Sequence, residues 1–152
     1  MKYLGVKIVD SEPMTAQEFN QQVRPLQYSG EDQRGYKVIY EDGYVSWSPK
    51  EVHEKAYRRI DNLTFGLAVE ALKKGLKVAR AGWNGKGMFV VYQKGYPQGI
   101  PCNKQTAEAW GMSEGEPFIC NPYLQIKNVN GSHSMWVASI NDILAEDWMI
   151  IE

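Results

Sequence analysis

Between Leu63 and Phe89 the hydrophobic period of the chain changes from helical to strand-like within one short run. Phe65, Ala68, Val69 and Leu72 recur at the i, i+3, i+4, i+7 spacing that lays one apolar stripe along a helix. Thr64 stands where an N-cap hydroxyl would accept an orphan N–H of the first turn. Lys73 and Lys74 fall in the last turn, which favours cations, and Gly75 supplies a left-handed stop. Gly66 costs about 1 kcal/mol against alanine inside a helix, so a close packing contact is expected there. Lys77 to Ala81 then alternates as a half-buried strand. Gly82-Trp83-Asn84-Gly85-Lys86-Gly87 makes a bend whose Asn-Gly predicts a hairpin, with Met88 to Tyr92 as the returning strand.

The same reading applied to the rest of the chain predicts a small module before this unit and a meander after it. Tyr3 to Val9 reads as a first strand, closed by Asp10-Ser11-Glu12-Pro13. Thr15 and Glu18 form a capping box for a helix over Ala16 to Val23. Arg24 to Gly35 is polar and reads as loop. Tyr36–Tyr40 and Tyr44–Trp47 form a hairpin about Glu41-Asp42-Gly43. Ser48, Pro49 and Glu51 have the cap, first-turn and N3 chemistry of a helix start, with the helix running to Arg59. A boundary is expected near Asp61, dividing residues 1–61 from 62–152.

Beyond the bend, Gly95, Pro97 and Gly99 punctuate Gln93 to Gly99 as loop, and a short helix begins near Thr106. Strands are expected at Phe118–Cys120, Tyr123–Asn128 and Ser134–Ala138, with Trp136 in mid-strand. Asn141 to Ala145 makes one helical turn, and Trp148 to Ile151 makes a last buried strand. The fold class is α+β: one main helix on a mostly antiparallel, meandering sheet, preceded by a strand–helix–hairpin–helix module.

Composition narrows the function classes. Seventeen basic and 18 acidic residues leave a net charge of −1, so no global field draws this chain to nucleic acid. No apolar N-terminal run or membrane-length segment occurs, and a soluble intracellular protein is expected. Cys102, Cys120, His53 and His133 have no short ligand spacing, so no metal and no cofactor are expected; the cysteines read as reduced thiols, though a disulfide stays open. His53 and His133 read as surface residues, the second in a turn. Aromatic residues make up 12% of the chain, with five tryptophans and nine tyrosines, which suits either a binding surface or an ordinary core.

The glycine-rich bend carries the most distinctive chemistry. Arg80, Trp83, Asn84 and Lys86 put a guanidinium, an indole, an amide and an ammonium on a backbone that a ligand can approach closely. Alternatively Trp83 plugs the core and the cations are solvated. The bend precedes a strand rather than a helix, so it lacks the dipole of a phosphate loop. Asp142, Glu146 and Asp147 could serve acid–base chemistry or hold magnesium, or simply cap and solvate a short helix. No positioned nucleophile or metal set stands out, which points to a binder rather than an enzyme.

Three stretches resemble a known family. Leu63-Thr-Phe-Gly-Leu-Ala-Val-Glu-Ala-Leu-Lys-Lys-Gly, Val78-Ala-Arg-Ala-Gly-Trp-Asn-Gly-Lys-Gly-Met-Phe, and Trp136-Val-Ala-Ser with Leu144-Ala-Glu-Asp-Trp are similar to the phage Thoeris anti-defense proteins of the second type. Ile140-Asn141 and the middle loop Gln93–Phe118 depart from the pattern, and residues 1–61 lie outside it. The resemblance implies a phage protein, acting in the cytoplasm of the infected bacterial host, that sequesters a cyclic ADP-ribose-type immune signal without degrading it. Some members also hold cyclic dinucleotides. It further implies a homo-oligomer, a tetramer in most members. On this reading Arg80 takes a phosphate, Trp83 and Trp136 stack or wall the pocket, and Asn84 reads polar edges. Asp142 takes a ribose hydroxyl or adenine amine, with Ser139 and Met88 assisting. Either these motif residues or the middle loop make the ligand contacts.

Overall fold

The computed structural model describes residues 1–26 and 30–152, so residues 27–29 of the loop expected over Arg24 to Gly35 lie outside the described residues. The chain divides into two compact units, Met1–Arg59 and Ile60–Glu152.

In the first unit, strands β1 (Asp10–Pro13), β2 (Gly35–Ile39) and β3 (Val45–Pro49) form an antiparallel sheet in the order β1-β2-β3. Helix α1 (Ala16–Gln22) starts on the expected Thr15–Glu18 capping box. Helix α2 (Lys50–Ala56) crosses β2 and β3. The first strand is not Tyr3–Val9 but the segment expected to close it. Asp10 pairs with Ile39, so residues before Asp10 run alongside the β2–β3 turn, past the end of the sheet, where no strand awaits them. Ser48 does not cap α2, because Ser48 and Pro49 pair with Tyr36 and Gly35 in the sheet. The helix starts at Pro49 without a side-chain cap, and the Lys50 N–H donates to the Arg34 carbonyl at 3.1 Å. It ends at Ala56 rather than Arg59, with Tyr57 already extended. His53 is not a surface residue. It is 9% exposed, stacks on Tyr36 with ring centroids 4.2 Å apart, and its Nε2 lies 2.9 Å from Ser11 Oγ.

In the second unit, helix α3 (Phe65–Lys73) lies over a five-stranded antiparallel sheet of β4 (Lys77–Arg80), β5 (Phe89–Gln93), β8 (Tyr123–Lys127), β9 (His133–Trp136) and β10 (Trp148–Ile151). Between β5 and β8 the chain makes a separate ribbon of β6 (Tyr96–Pro101) and β7 (Pro117–Cys120), flanking helix α4 (Lys104–Trp110). The strand over Tyr96–Pro101 replaces the expected loop. Gly99 within it and Gly95 just before it take positive φ, and its pairing with β7 shifts register between Tyr96 and Ile100. A short helix α5 (Ile140–Ile143) packs beside α3.

The sheet order is β10-β4-β5-β8-β9. Register puts Trp148, Ile150, Val78, Arg80, Val90, Ile126, Leu124 and Trp136 on one face. Ala68, Ala71 and Leu72 of α3 close the core over that face with Val78, Val90, Ile126 and Trp148. β9 and β10 are the outer strands, about 19 Å apart in a flat sheet at four strand spacings. The Trp136 and Trp148 rings nevertheless stand 6.0 Å apart, so the sheet curls and these two side chains meet over its concave face.

Thr64 caps α3 and Gly75 ends it at φ 88°, as the sequence pattern predicts. Gly66, however, makes no close contact: it is exposed, and a Cβ there would meet only Thr64 Oγ1 at 4.0 Å. The Asn84-Gly85 pair is not a two-residue hairpin. The connection from β4 to β5 spans Ala81 to Met88, its left-handed residue is Gly87, and the returning strand begins at Phe89. Trp136 ends β9 instead of lying mid-strand, and His133 opens that strand, exposed and opposite Lys127. Cys102 and Cys120 are both free thiols. No helix among the described residues is long and apolar enough to cross a membrane.

Candidate functional site

At the rim of the concave face, α5 and the β4–β5 loop are tied by one guanidinium and two carboxylates. Ser139 caps α5: its Oγ accepts the Asp142 N–H at 3.2 Å, while its own hydroxyl donates to Asp142 Oδ2 at 2.6 Å. The Ser139 N–H donates to the same oxygen at 3.1 Å, completing a capping box. Asp142 Oδ1 accepts Arg80 Nη1 at 2.8 Å and the Trp83 indole Nε1 at 3.2 Å. Arg80 Nε donates to Asp147 Oδ1 at 2.8 Å, and Asp147 Oδ2 accepts the Gly82 N–H at 2.7 Å.

The electrostatics follow from these bonds. Burial alone would push the Asp142 carboxyl up, but hydrogen bonds from Ser139, Arg80 and Trp83 outweigh it and hold the pKa at about 2. The Arg80 hydrogen bond, helped by the Gly82 N–H, likewise lowers Asp147 against its partial burial. Asp147 and Asp142 together push the Arg80 pKa upward. Both carboxylates are therefore ionised at neutral pH, and the cluster of two anions and one cation carries a net −1. The guanidinium uses Nε and Nη1 inside the protein, so Arg80 acts first as a brace.

Behind the brace stands an aromatic cluster. Trp148 is fully buried and its Nε1 donates to the Asp142 carbonyl at 2.9 Å. Trp83 and Trp136 meet it edge-on, with centroids 5.4 and 6.0 Å away, and meet each other at 6.1 Å. Phe65 of α3 closes the group against Trp136 and Trp148. Edge-on geometry sets the positive rim of one ring against the negative face of the next, so the half-buried Trp83 and Trp136 are held at fixed angles.

Against this geometry, a model of the Thoeris anti-defense 2-like domain matches residues 63–151, from the strand-pairing Leu63 to the end of β10. The chain belongs to the Thoeris anti-defense 2-like family. It is also 37% identical over 93 residues to the protein named Thoeris anti-defense 2 of Bacillus phage SP01, covering 59% of this chain and 94% of that relative.

Within this Thoeris anti-defense 2-like domain, the sequence-chosen residues fall into three groups. Arg80, Trp83, Ser139 and Asp142 are joined by hydrogen bonds, and Trp136 joins them through its ring contacts. Met88 is half-buried and packs on the core under the loop. Asn84 stands exposed on the loop, its side chain bonded to no described residue. Trp148 is absent from the residues the sequence pointed to, and Asp147, expected only as an acid–base or magnesium group, instead holds Arg80 and the Gly82 N–H. Their signal was the Asp-Trp step into the last strand, where a carboxylate beside a buried indole could face Arg80. In the middle segment, Trp110 of α4 is exposed and edge-on to Phe118 at 5.5 Å. Clefts of about 270 and 240 Å³ lie within residues 1–59. No group of three or more His, Cys, Asp or Glu among the described residues could hold a metal ion.

Proposed function

We propose that this protein is a phage anti-defense protein that binds a cyclic nucleotide immune signal in the cytoplasm of the infected bacterium and sequesters it intact. The preferred class is a cyclic ADP-ribose isomer, with cyclic dinucleotides as a second class. The observation that carries this reading is the family match across residues 63–151, which spans the whole tryptophan and carboxylate cluster. The chemistry supports it. Trp83 and Trp136 offer fixed indole surfaces at the rim, and the unbonded Asn84 amide has both donor and acceptor free for a base or ribose edge. Met88 lies beneath, while Arg80, Ser139 and Asp142 hold the wall; the remaining guanidinium nitrogen, Nη2, is the group that reaches a phosphate.

Base stacking contributes about 1–3 kcal/mol, whereas nanomolar retention needs about 12 kcal/mol. A homo-oligomer, a tetramer on the family pattern, supplies the further contacts from neighbouring subunits. A non-catalytic role is favoured by the acids themselves. A general acid or base works best with a pKa near the operating pH, and Asp142 is held at about 2.

The test is a thermal-shift screen against cyclic ADP-ribose isomers and cyclic dinucleotides, followed by heat release and mass analysis of the ligand. Binding at 100 times Kd adds about 2.7 kcal/mol of stability, and the nucleotide should return chemically unchanged. A cleaved product would replace sequestration by hydrolysis, and no shift with any nucleotide would turn the assignment to a protein-interaction module.

A further inference from the structure

The β4–β5 loop carries Gly82, Gly85 and Gly87 within six residues, a composition that leaves a free loop many conformations to lose on binding. Its entry is nevertheless pinned at three successive residues by one side chain and its own backbone. Asp147 takes Arg80 Nε on Oδ1 at 2.8 Å and the Gly82 N–H on Oδ2 at 2.7 Å. Its carbonyl takes the Ala81 N–H at 3.0 Å. The aspartate itself is fixed by its neighbour in the chain. Trp148 is fully buried, exchanges backbone hydrogen bonds with Leu63 in both directions, and pairs across the sheet with Arg80. A Cβ at position 82 would sit 2.7 Å from Asp147 Oδ2, so the contact needs glycine there. At the far end of the loop, Lys127 Nζ donates to the Gly87 carbonyl at 3.1 Å. Trp83 and Asn84 come directly after the residues that Asp147 anchors.

We propose that Asp147 is the positioning residue of the binding loop: it carries Arg80, Ala81 and Gly82 together and thereby sets where Trp83 and Asn84 stand. The ligand half of this inference rests on the sequestration reading; the loop half does not. Apparent affinity scales with the fraction of protein whose loop is already in the competent arrangement. Releasing the anchor therefore lowers affinity without removing any group that touches the ligand.

The experiment compares the full chain with Asp147→Asn, Asp147→Glu and Gly82→Ala by amide hydrogen exchange and by nucleotide titration. Asn keeps the shape but replaces one acceptor oxygen with a donor. Gly82→Ala crowds the same carboxylate without touching its charge, and serves if the Asp147 variants fold poorly. In Asp147→Asn and Gly82→Ala the amides of residues 81–83, which are the bonded ones at the anchor, should exchange at least tenfold faster while those of β5 and β8 stay unchanged. Kd for the nucleotide that stabilises the unsubstituted protein should weaken at least tenfold, with partial recovery in Asp147→Glu. Unchanged loop exchange, or a uniform rise across the sheet, would overturn the positioning role. A loosened loop with an unchanged Kd would overturn its link to binding. If no nucleotide binds the unsubstituted protein, the sequestration reading fails, and the exchange measurement still decides the loop anchor.

Discussion

Arg80 is the residue on which the domain's polar cluster turns. Its side chain is 18% exposed and bridges carboxylates that are 12% and 34% exposed, from two different segments. A pair this sheltered gives little net stability over an apolar substitute, but removing one partner leaves the others unpaired. Arg80→Ala strands two carboxylates beside each other, and should cost about 3–5 kcal/mol in urea unfolding. Arg80→Lys should recover only part, because one ammonium lacks the fork that serves two carboxylates. A loss under about 1 kcal/mol would show the cluster to be solvated like a surface ion pair. The residue types of this cluster were legible in the sequence, and their partners were not. Arg80 and Asp147 lie 67 positions apart, and only the pairing of β4 with β10 makes them neighbours. His53 shows the same limit: glutamates at positions 51 and 54 suggested a solvated face, but the helix turns His53 toward Tyr36 and Ser11.

At the scale of elements, local signals worked where the backbone itself decides. Thr15, Thr64 and Gly75 cap or end their helices as their chemistry dictates, and Trp148–Ile151 is a strand as its pattern requires. They failed where pairing decides. An apolar run at Tyr3–Val9 found no strand to join, while the polar Asp10–Pro13 did. Gly66 differs for a related reason: a glycine inside a helical pattern signals a packing need, yet this position faces open space. Helical glycine with room for a methyl group costs stability through the freedom it keeps when unfolded. Gly66→Ala should therefore raise stability by about 0.5–1 kcal/mol, read as a higher urea midpoint with an unchanged slope. A lower midpoint would mean that the site needs glycine for a contact formed outside the single chain.

The two units carry acid sensitivities of different origin, and this makes their independence measurable. In Met1–Arg59, burial lowers the pKa of His53 below its ordinary 6.5, against the pull of Glu54. A depressed histidine contributes stability that is present above the unfolded pKa and lost as pH falls through the folded one. In Ile60–Glu152 the sensitive groups are Asp142, at about 2, and Asp147, lowered by Arg80. Their contribution is complete above the unfolded carboxylate pKa near 4 and is lost between about 4 and 2; for Asp142 it is about 2 kcal/mol. Trp47 is the one tryptophan of residues 1–59, and Trp83, Trp110, Trp136 and Trp148 belong to the rest. Fluorotryptophan NMR of the full chain in urea can therefore follow each unit separately. Between pH 7 and 5 the Trp47 midpoint should fall while the Trp83, Trp136 and Trp148 midpoints hold, and these should fall only below about pH 4. Midpoints that move together at every pH would mean that the units unfold as one. Stability around Trp83 could then no longer be assigned to Asp142 and Asp147 alone, because His53 would be setting it as well.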